Sequence, residues 1–343
     1  VSTPPPAALR TPFCALADIT VPVVQAPIGG PCVPALAAAV SEAGGLGTLA
    51  ASWDDRAALR ERIRRTRELT SRPFAANLIL QWPQRERLAQ CLDEGVRIIS
   101  TFWGDPAPMT ARIHRAGALH VHTVASAAEA RRAVDAGVDA VVAQGWEAGG
   151  HVRGEVATLP LIPAVVDEVA PVPVIAAGGI ADGRGLAAVL ALGADAAWIG
   201  TRFLLAEEAS SADVYREEVA AARETGTVHG IVFDKGWPDA PHRALRNSTV
   251  RDWEAAGRPA PGARPGERDV LAHLADGGSV ARYADVAPTR DMTGRAEALA
   301  LYAGQSAGLV HEVRPAAEIV RTLVADAHRA LNRHRAAPEN APG

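Results

Sequence analysis

An eightfold alternation of short apolar strands with helical segments predicts an α/β chain. Its fold class is a (β/α)8 TIM barrel with a smaller accessory α-rich domain inserted near the C-terminus. Two further observations support the barrel. Val174-Ile175-Ala176-Ala177 and Ala196-Ala197-Trp198-Ile199 run into Gly178-Gly179 and Gly200, and counting places them at strands seven and eight, where barrels commonly hold phosphate. Strand six, from Val138 to Ala143, enters Gln144-Gly145-Trp146-Glu147-Ala148-Gly149-Gly150-His151, which sets a histidine behind paired glycines at the strand's carboxyl end.

The remaining elements follow in order. Val21 to Pro27 is strand one, closed by Ile28-Gly29-Gly30, and Val33 to Ala43 is an apolar helix stopped by Gly44-Gly45. Leu46 to Leu49 is strand two. Asp54 to Leu69 is an arginine-rich amphipathic helix with Asp54 as N-cap. Phe74 to Leu78 is strand three, with Arg85 to Asp93 as its helix; Val96 to Thr101 is strand four, followed by a helix from Pro106 to Arg115. Leu119 to Thr123 is strand five. Its helix, Ser126 to Ala136, carries Glu129 in the capping-box position. Leu161 to Val169 follows strand six, and Arg184 to Leu192 joins strands seven and eight.

Beyond Ala206 the rhythm changes. Asp213 to Arg223 is helical, Val228 to Ala287 is richer in Pro, Gly and Arg, and Gly257 to Gly266 is a loop. Helical periodicity returns at Glu297 to Leu301 and Pro315 to Leu331, segments expected to pack back on the barrel, with a frayed tail from Ala336. The expected organisation is a barrel over 12–210, an accessory or lid region over 211–295 and C-terminal helices over 296–335.

With 343 residues, 48% hydrophobic and 22% charged, the chain can bury one large core. A net charge of −4 gives no electrostatic reason to expect nucleic acid or an anionic membrane. Three cysteines, Cys14, Cys32 and Cys91, have no metal-like spacing and fit a reducing compartment. The stretch Val1 to Ala8 lacks the basic-then-apolar order of a signal peptide, and no apolar run reaches membrane-spanning length. The expectation is a soluble, cytoplasmic protein, with a homodimer compatible with it.

Exposed backbone N–H groups at the ends of two successive strands make a concave anion site. Among ten histidines, His114, His328 and His334 lie on Arg- and Ala-rich helices and read as solvated, while His242, beside Pro241 and Arg243, reads as ordering the accessory region. His151 stands apart through its loop. Glu147 reads as a hydrogen-bond acceptor within that loop, and Asp182 and Asp195 as turn residues. Trp103, Trp146 and Trp237 are equally readable as pocket wall or core.

The ordered motifs Gln25-Ala26-Pro27, Ala76-Asn77-Leu78, Gln144 to His151, Ala176 to Gly183 and Gly200-Thr201-Arg202-Phe203 resemble the nitronate monooxygenase family. Trp237-Pro238, Arg246-Asn247 and Tyr302-Ala303-Gly304-Gln305 are similar to that family's later segments, so the resemblance spans about Val21 to Leu331. It implies a barrel carrying non-covalent FMN. Carried over by position, the phosphate would rest on Gly178, Gly179, Gly200 and Thr201, with Gly149 and Gly150 in the same cofactor loop. The isoalloxazine would contact Ala26, Pro27, Asn77 and Gln144, and His122 would reach its pyrimidine edge. Ile28 departs from the methionine common among relatives, and a branched apolar side chain there can still pack on the ring. Thr101 is a further position the resemblance does not settle.

The implied activity is oxidation of alkyl nitronates, and of nitroalkanes, by dioxygen to a carbonyl compound and nitrite, with nitronate and dioxygen as small-molecule partners. His151 is the implied catalytic residue, either as a cation holding nitronate oxygens or as a base taking an α-proton. The alternative is an NAD(P)H-dependent flavin reductase of the enoyl-ACP reductase or quinone reductase type. A non-catalytic binder of a phosphate ligand would need no His151.

Overall fold

The structure is a computed structural model and describes residues 9–333. Val1 to Ala8, His334 and the tail from Ala336 lie outside the described residues. In chain order the elements before the barrel's close are α1 (Pro12–Leu16), β1 (Val23–Gln25), α2 (Pro34–Glu42), β2 (Gly47–Ala50), α3 (Arg56–Leu69), β3 (Phe74–Ile79), α4 (Arg85–Asp93), β4 (Ile98–Phe102), α5 (Ala107–Arg115), β5 (Leu119–Val124), α6 (Ala127–Asp135), β6 (Ala140–Gln144), β7 (Gly150–His151), α7 (Thr158–Val169), β8 (Val174–Ala177), α8 (Gly183–Ala191) and β9 (Ala196–Ile199). Eight of these strands form one parallel sheet in the order β1-β9-β8-β6-β5-β4-β3-β2. A parallel bridge from Val24 to Leu46 joins its two ends, so the sheet closes into the expected barrel.

Strand alternation sorts the side chains. Val24, Ala75, Ile98, Val121, Val142 and Ile175 fill the interior, together with Phe13, Cys14 and Ile19 from the α1 segment, which plugs one end. Their neighbours Val23, Val141, Val174 and Ala176 face outward onto Leu36, Leu161, Val165 and Leu186 of the surrounding helices. The same rule accounts for a polar chain on the outer side of β4 and β5. Thr101 Oγ1 lies 2.8 Å from His120 Nε2 and 2.8 Å from His122 Nδ1, and Thr110 Oγ1 lies 3.0 Å from His120 Nδ1.

The caps hold two small corrections. Asp55, not Asp54, caps α3, accepting from the N–H groups of Ala57 and Ala58 at 2.8 Å, whereas Asp54 pairs with Arg62. At α6, Ser126 Oγ accepts from Glu129 N, but the Glu129 carboxylate reaches back to Ala125 N, one residue before the cap.

Past β9 come a 3-10 turn (Thr201–Leu205), α9 (Asp213–Ala221), β10 (Thr227–Gly230), β11 (His242–Leu245), α10 (Ser248–Ala255), β12 (Val270–His273), β13 (Ser279–Ala281), β14 (Thr293–Gly294) and α11 (Ala316–Asn332). The accessory region is therefore mixed rather than α-rich. Its strands are two to four residues long and pair antiparallel in two small sheets, β10-β11-β7 and β13-β12-β14. Segments that short carry almost no periodic signal. The expected helix at Glu297 to Leu301 is a single 3-10 turn, Ala296–Ala298. No helix directly follows β9 on the barrel's outer face. Instead α11 returns to pack against α8 and α2, burying Ile319, Val320 and Leu323 in the eighth helical position.

His242 is locked within this region. Its Nε2 accepts from Phe233 N at 3.1 Å and its Nδ1 donates to Ala240 O at 3.0 Å, a pattern only the neutral ring can make. Burial pushes His242 down to about 4, His122 down to about 4 and His120 down to about 3, from an ordinary 6.5. All three are neutral when folded, and the unfolded chain takes up their protons below 6.5. Their stabilising contribution is complete above that pH and is lost as pH falls toward the folded values. Each should cost about 2 kcal/mol between pH 6.5 and 5, offset in part by Asp285, which burial pushes up to about 6. Urea unfolding at pH 7, 6 and 5 should show a steep loss of stability; a flat profile would contradict the neutral assignments.

Candidate active site

The carboxyl ends of the barrel strands and the accessory region enclose one cavity of about 740 Å³, within the roughly 300–1,000 Å³ typical of small-molecule sites. Of the residues expected at the cofactor, Ala26, Pro27, Ile28, Asn77, Gln144, Gly149, Gly150, Gly178, Gly179, Gly200 and Thr201 all line it, as does His151.

His122 does not, and this is a correction. Thr123 and Phe102 are the cavity residues on β5 and β4, so their neighbours His122 and Thr101 face the opposite side, where they bond each other. With its ring neutral and outward, His122 supplies no charge to a ligand in the cavity.

The glycines divide by what a side chain would meet. A Cβ on Gly200 would meet only Ala26 Cβ, at 3.6 Å, and one on Gly179 would meet Glu147 Cβ at 3.7 Å, so open cavity lies beside both. At Gly149 a Cβ would lie 2.5 Å from Gly304 N, and at Gly178 it would lie 3.0 Å from Gly145 O, with φ at +103°. Those two glycines therefore serve close backbone packing as well. Thr201 Oγ1 accepts from Gly304 N at 2.9 Å, which ties the C-terminal segment to the cradle and leaves the hydroxyl proton for a ligand. The first N–H groups of α8 are taken by the Asp182 carboxylate, so an anion here would rely on the glycine stations rather than on that helix end. Asn77 Nδ2 donates to Ser100 Oγ at 2.7 Å.

His151 is fixed from several sides. Gln144 Nε2 donates to its carbonyl at 3.1 Å, and β7 pairs with β11, His151 opposite His242 and Gly150 opposite Arg243. Arg243 stacks 4.1 Å above the Trp146 ring and donates to Trp146 O at 2.9 Å. Glu147 accepts from Thr158 N at 2.9 Å and from Thr158 Oγ1 at 3.0 Å, the loop-bracing role expected of it. The imidazole stacks on Trp237 at 4.0 Å. Trp237 lines the cavity, Trp103 packs edge-on against it at 5.0 Å, and Trp146 is a platform for Arg243.

Burial, with His242 nearby, pushes His151 well below its ordinary pKa, so the ring is neutral at pH 7. Its Nε2 is closed to solvent without a hydrogen-bond partner, a condition that costs about 1–3 kcal/mol. Asp285 Oδ2 stands 3.8 Å from that nitrogen, and Tyr302 donates its hydroxyl to Asp285 Oδ1 at 2.5 Å. Asp285, Tyr302 and Trp53 line the cavity and were not singled out from sequence as site residues. The one available signal for Asp285 was a carboxylate set between Ala284 and Val286.

No lysine or arginine is among the described residues lining the cavity. The His/Cys/Asp/Glu side chains of the described residues form no metal-holding group, and no helix there is long and apolar enough to cross a membrane.

A closed parallel barrel with glycine stations on its last two strands and a buried neutral histidine facing the same cavity defines a TIM-barrel protein with a cavity of small-molecule size at its carboxyl end. The sequence profile of the nitronate monooxygenase family matches residues 10–86 and 82–326, and the chain belongs to that family of oxidoreductases. A nitronate monooxygenase of Pseudomonas aeruginosa is 34% identical over 91% of this chain and 97% of its own. A (3aS,4S,5R,7aS)-5-hydroxy-7a-methyl-1-oxo-octahydro-1H-indene-4-carboxyl-CoA dehydrogenase of Mycobacterium tuberculosis is 33% identical over 93% of this chain and 96% of its own. The structure of FabK from Thermotoga maritima superposes with a TM-score of 0.80 at 32% identity, covering 95% of this chain and 98% of that one.

The cradle can be tested without backbone strain at Gly200, whose φ of −103° suits other residues. Gly200→Val should fold but purify without flavin, since its side chain projects into the space beside Ala26. A yellow, fully loaded variant would show that the phosphate lies elsewhere.

Proposed function

We propose that the chain is an FMN-dependent oxidoreductase that oxidises nitroalkanes and their alkyl nitronates with dioxygen, giving a carbonyl compound and nitrite. The observation that carries this reading is the neutral His151 against a cavity with no lysine or arginine among the described residues that line it. A neutral imidazole is a base, and a wall without lysine or arginine suits a neutral carbon acid. FMN fits the residues present. Gly178, Gly179, Gly200 and Thr201 would take its phosphate through backbone N–H groups, and Ala26, Pro27, Ile28, Asn77 and Gln144 would line its ring. When bound, it supplies the electron-accepting step and the reaction with dioxygen.

The chain's own residues handle the proton and the orientation. His151 takes the α-proton of a nitroalkane; the C–H electron pair stays on the substrate and spreads onto the nitro oxygens. Trp237 fixes the imidazole plane by stacking, and Gln144 fixes the backbone that carries it. Residues 211–295, with Trp237 and Asp285 to Ala287 on the wall, would roof the cavity and exclude bulk water. A nitronate arrives without the α-proton and needs no base.

A second reading is a reductase or dehydrogenase using NAD(P)H. It is favoured by the similarity to the indene-carboxyl-CoA dehydrogenase and to FabK, and by a cavity whose apolar wall of Trp53, Ile79, Leu274 and Met292 would admit a longer carbon skeleton.

His151→Asn should keep FMN and lower turnover at least tenfold, about 1.4 kcal/mol in barrier height. The loss should be larger, on the order of a hundredfold, for a neutral nitroalkane than for its nitronate. Steady-state nitrite release from both substrates checks this; small, equal losses would make His151 structural.

A further inference from the structure

His151 lacks a partner at the nitrogen that the fold buries. Among the described residues Nε2 makes no hydrogen bond, and the acceptor facing it is Asp285 Oδ2, at 3.8 Å. Asp285 lies in the segment that follows β13 and lines the same cavity. It is placed by backbone bonding to Lys235 O at 3.0 Å, and its second oxygen accepts the buried Tyr302 hydroxyl. Its burial would be costly for an unused carboxylate. The Tyr302 ring in turn packs at a tilt against His151, with ring centroids 5.6 Å apart.

We propose that Asp285 is the positioning residue of His151, with Tyr302 orienting the carboxylate. A neutral imidazole carries one N–H and one lone pair, and which nitrogen holds the proton follows from the hydrogen bond the other environment offers. The Asp285 carboxylate fixes the proton on Nε2. Nδ1 is then the basic nitrogen. When it takes the substrate proton, the ring gains one positive charge, which the adjacent carboxylate balances; no other atom or electron changes hands. At 3.8 Å the two groups stand within ion-pair distance but beyond a hydrogen bond, so the proposal requires a small side-chain rotation that brings Nε2–H onto Oδ2.

The other groups around the ring do not compete for this role. His242, 5.5 Å away, is neutral and already bonded on both nitrogens. Tyr302 stays protonated, pushed well above its ordinary pKa by burial first and by Asp285 next. Arg153 lies over the Trp103 ring, 5.9 Å from its centroid, with its charge paired to Glu129. Among the described residues Asp285 is thus the carboxylate within ion-pair distance of His151. Burial raises Asp285 to about 6, and the Tyr302 bond holds it from rising further, so it is ionised at pH 7 and protonated under mild acid.

The proposal rests on reading His151 as the base, and its test includes a readout that needs no substrate. Nitrogen-15 spectra of histidine-labelled, flavin-loaded protein at pH 7.5 should show His151 as the Nε2–H tautomer, and Asp285→Asn should shift it toward Nδ1–H or a mixture. In kinetics, Asp285→Asn should lower kcat on a neutral nitroalkane about a hundredfold with KM within about twofold. It should also abolish the acid limb of the profile near pH 6. Tyr302→Phe keeps the carboxylate and removes a donor to its ionised form, so it should move that limb upward. Should Asp285→Asn fail to fold, the Tyr302→Phe shift and the wild-type tautomer decide. A wild-type Nδ1–H tautomer, or an Asp285→Asn enzyme with unchanged tautomer and undiminished kcat, would overturn the proposal. If wild type turns over no nitroalkane, the activity reading fails and the tautomer spectra alone judge Asp285.

Discussion

The two-residue pairing of Gly150–His151 with His242–Arg243 is the contact on which the site depends. A histidine at the end of a barrel strand would ordinarily ride on a mobile loop. Here the loop is drawn into a small sheet whose other strands belong to the accessory region, and Arg243 clamps it by stacking on Trp146 and bonding its carbonyl. The paired His151 lines the cavity, stacks on Trp237 and turns a buried nitrogen toward Asp285. Burial has an electrostatic price: the ring is neutral because water has been removed from around it. The neutral imidazole and its place on the cavity wall are therefore one consequence of a single packing arrangement.

Much of the barrel was legible because its signals are local. Each strand is an apolar run read within a few residues, and the glycine stations follow their strands directly. Asp55 and Asp54 are both plausible caps from sequence, and only the geometry of the first turn separates them. The eighth helix was less visible because its sequence position, α11, lies far from β9, and nothing local says that it fills the gap beside α8. The accessory strands were missed for a related reason. They hold together by non-local pairing, and at two to four residues each they offer no period to read.

Within the site, the residues carried by strand-end motifs all reached the cavity wall, and His122 did not. That misplacement follows from period two: Thr123 faces in, so His122 cannot. The residues that sequence reading did not connect, Asp285 and Tyr302, come from separate segments and meet only in three dimensions. Family membership is consistent with several oxidoreductase chemistries, as the similarity to both a nitronate monooxygenase and a carboxyl-CoA dehydrogenase illustrates. The deciding property is local: which molecule first gives electrons to the flavin proposed for this cavity.

That property is measured by mixing the oxidised, flavin-loaded protein anaerobically with nitroethane or its nitronate and following the visible flavin band. The account predicts bleaching with no nicotinamide present, and slow or absent bleaching when NADH or NADPH replaces the nitro compound. Rapid bleaching by NADH or NADPH, with both nitro compounds inert, would contradict it.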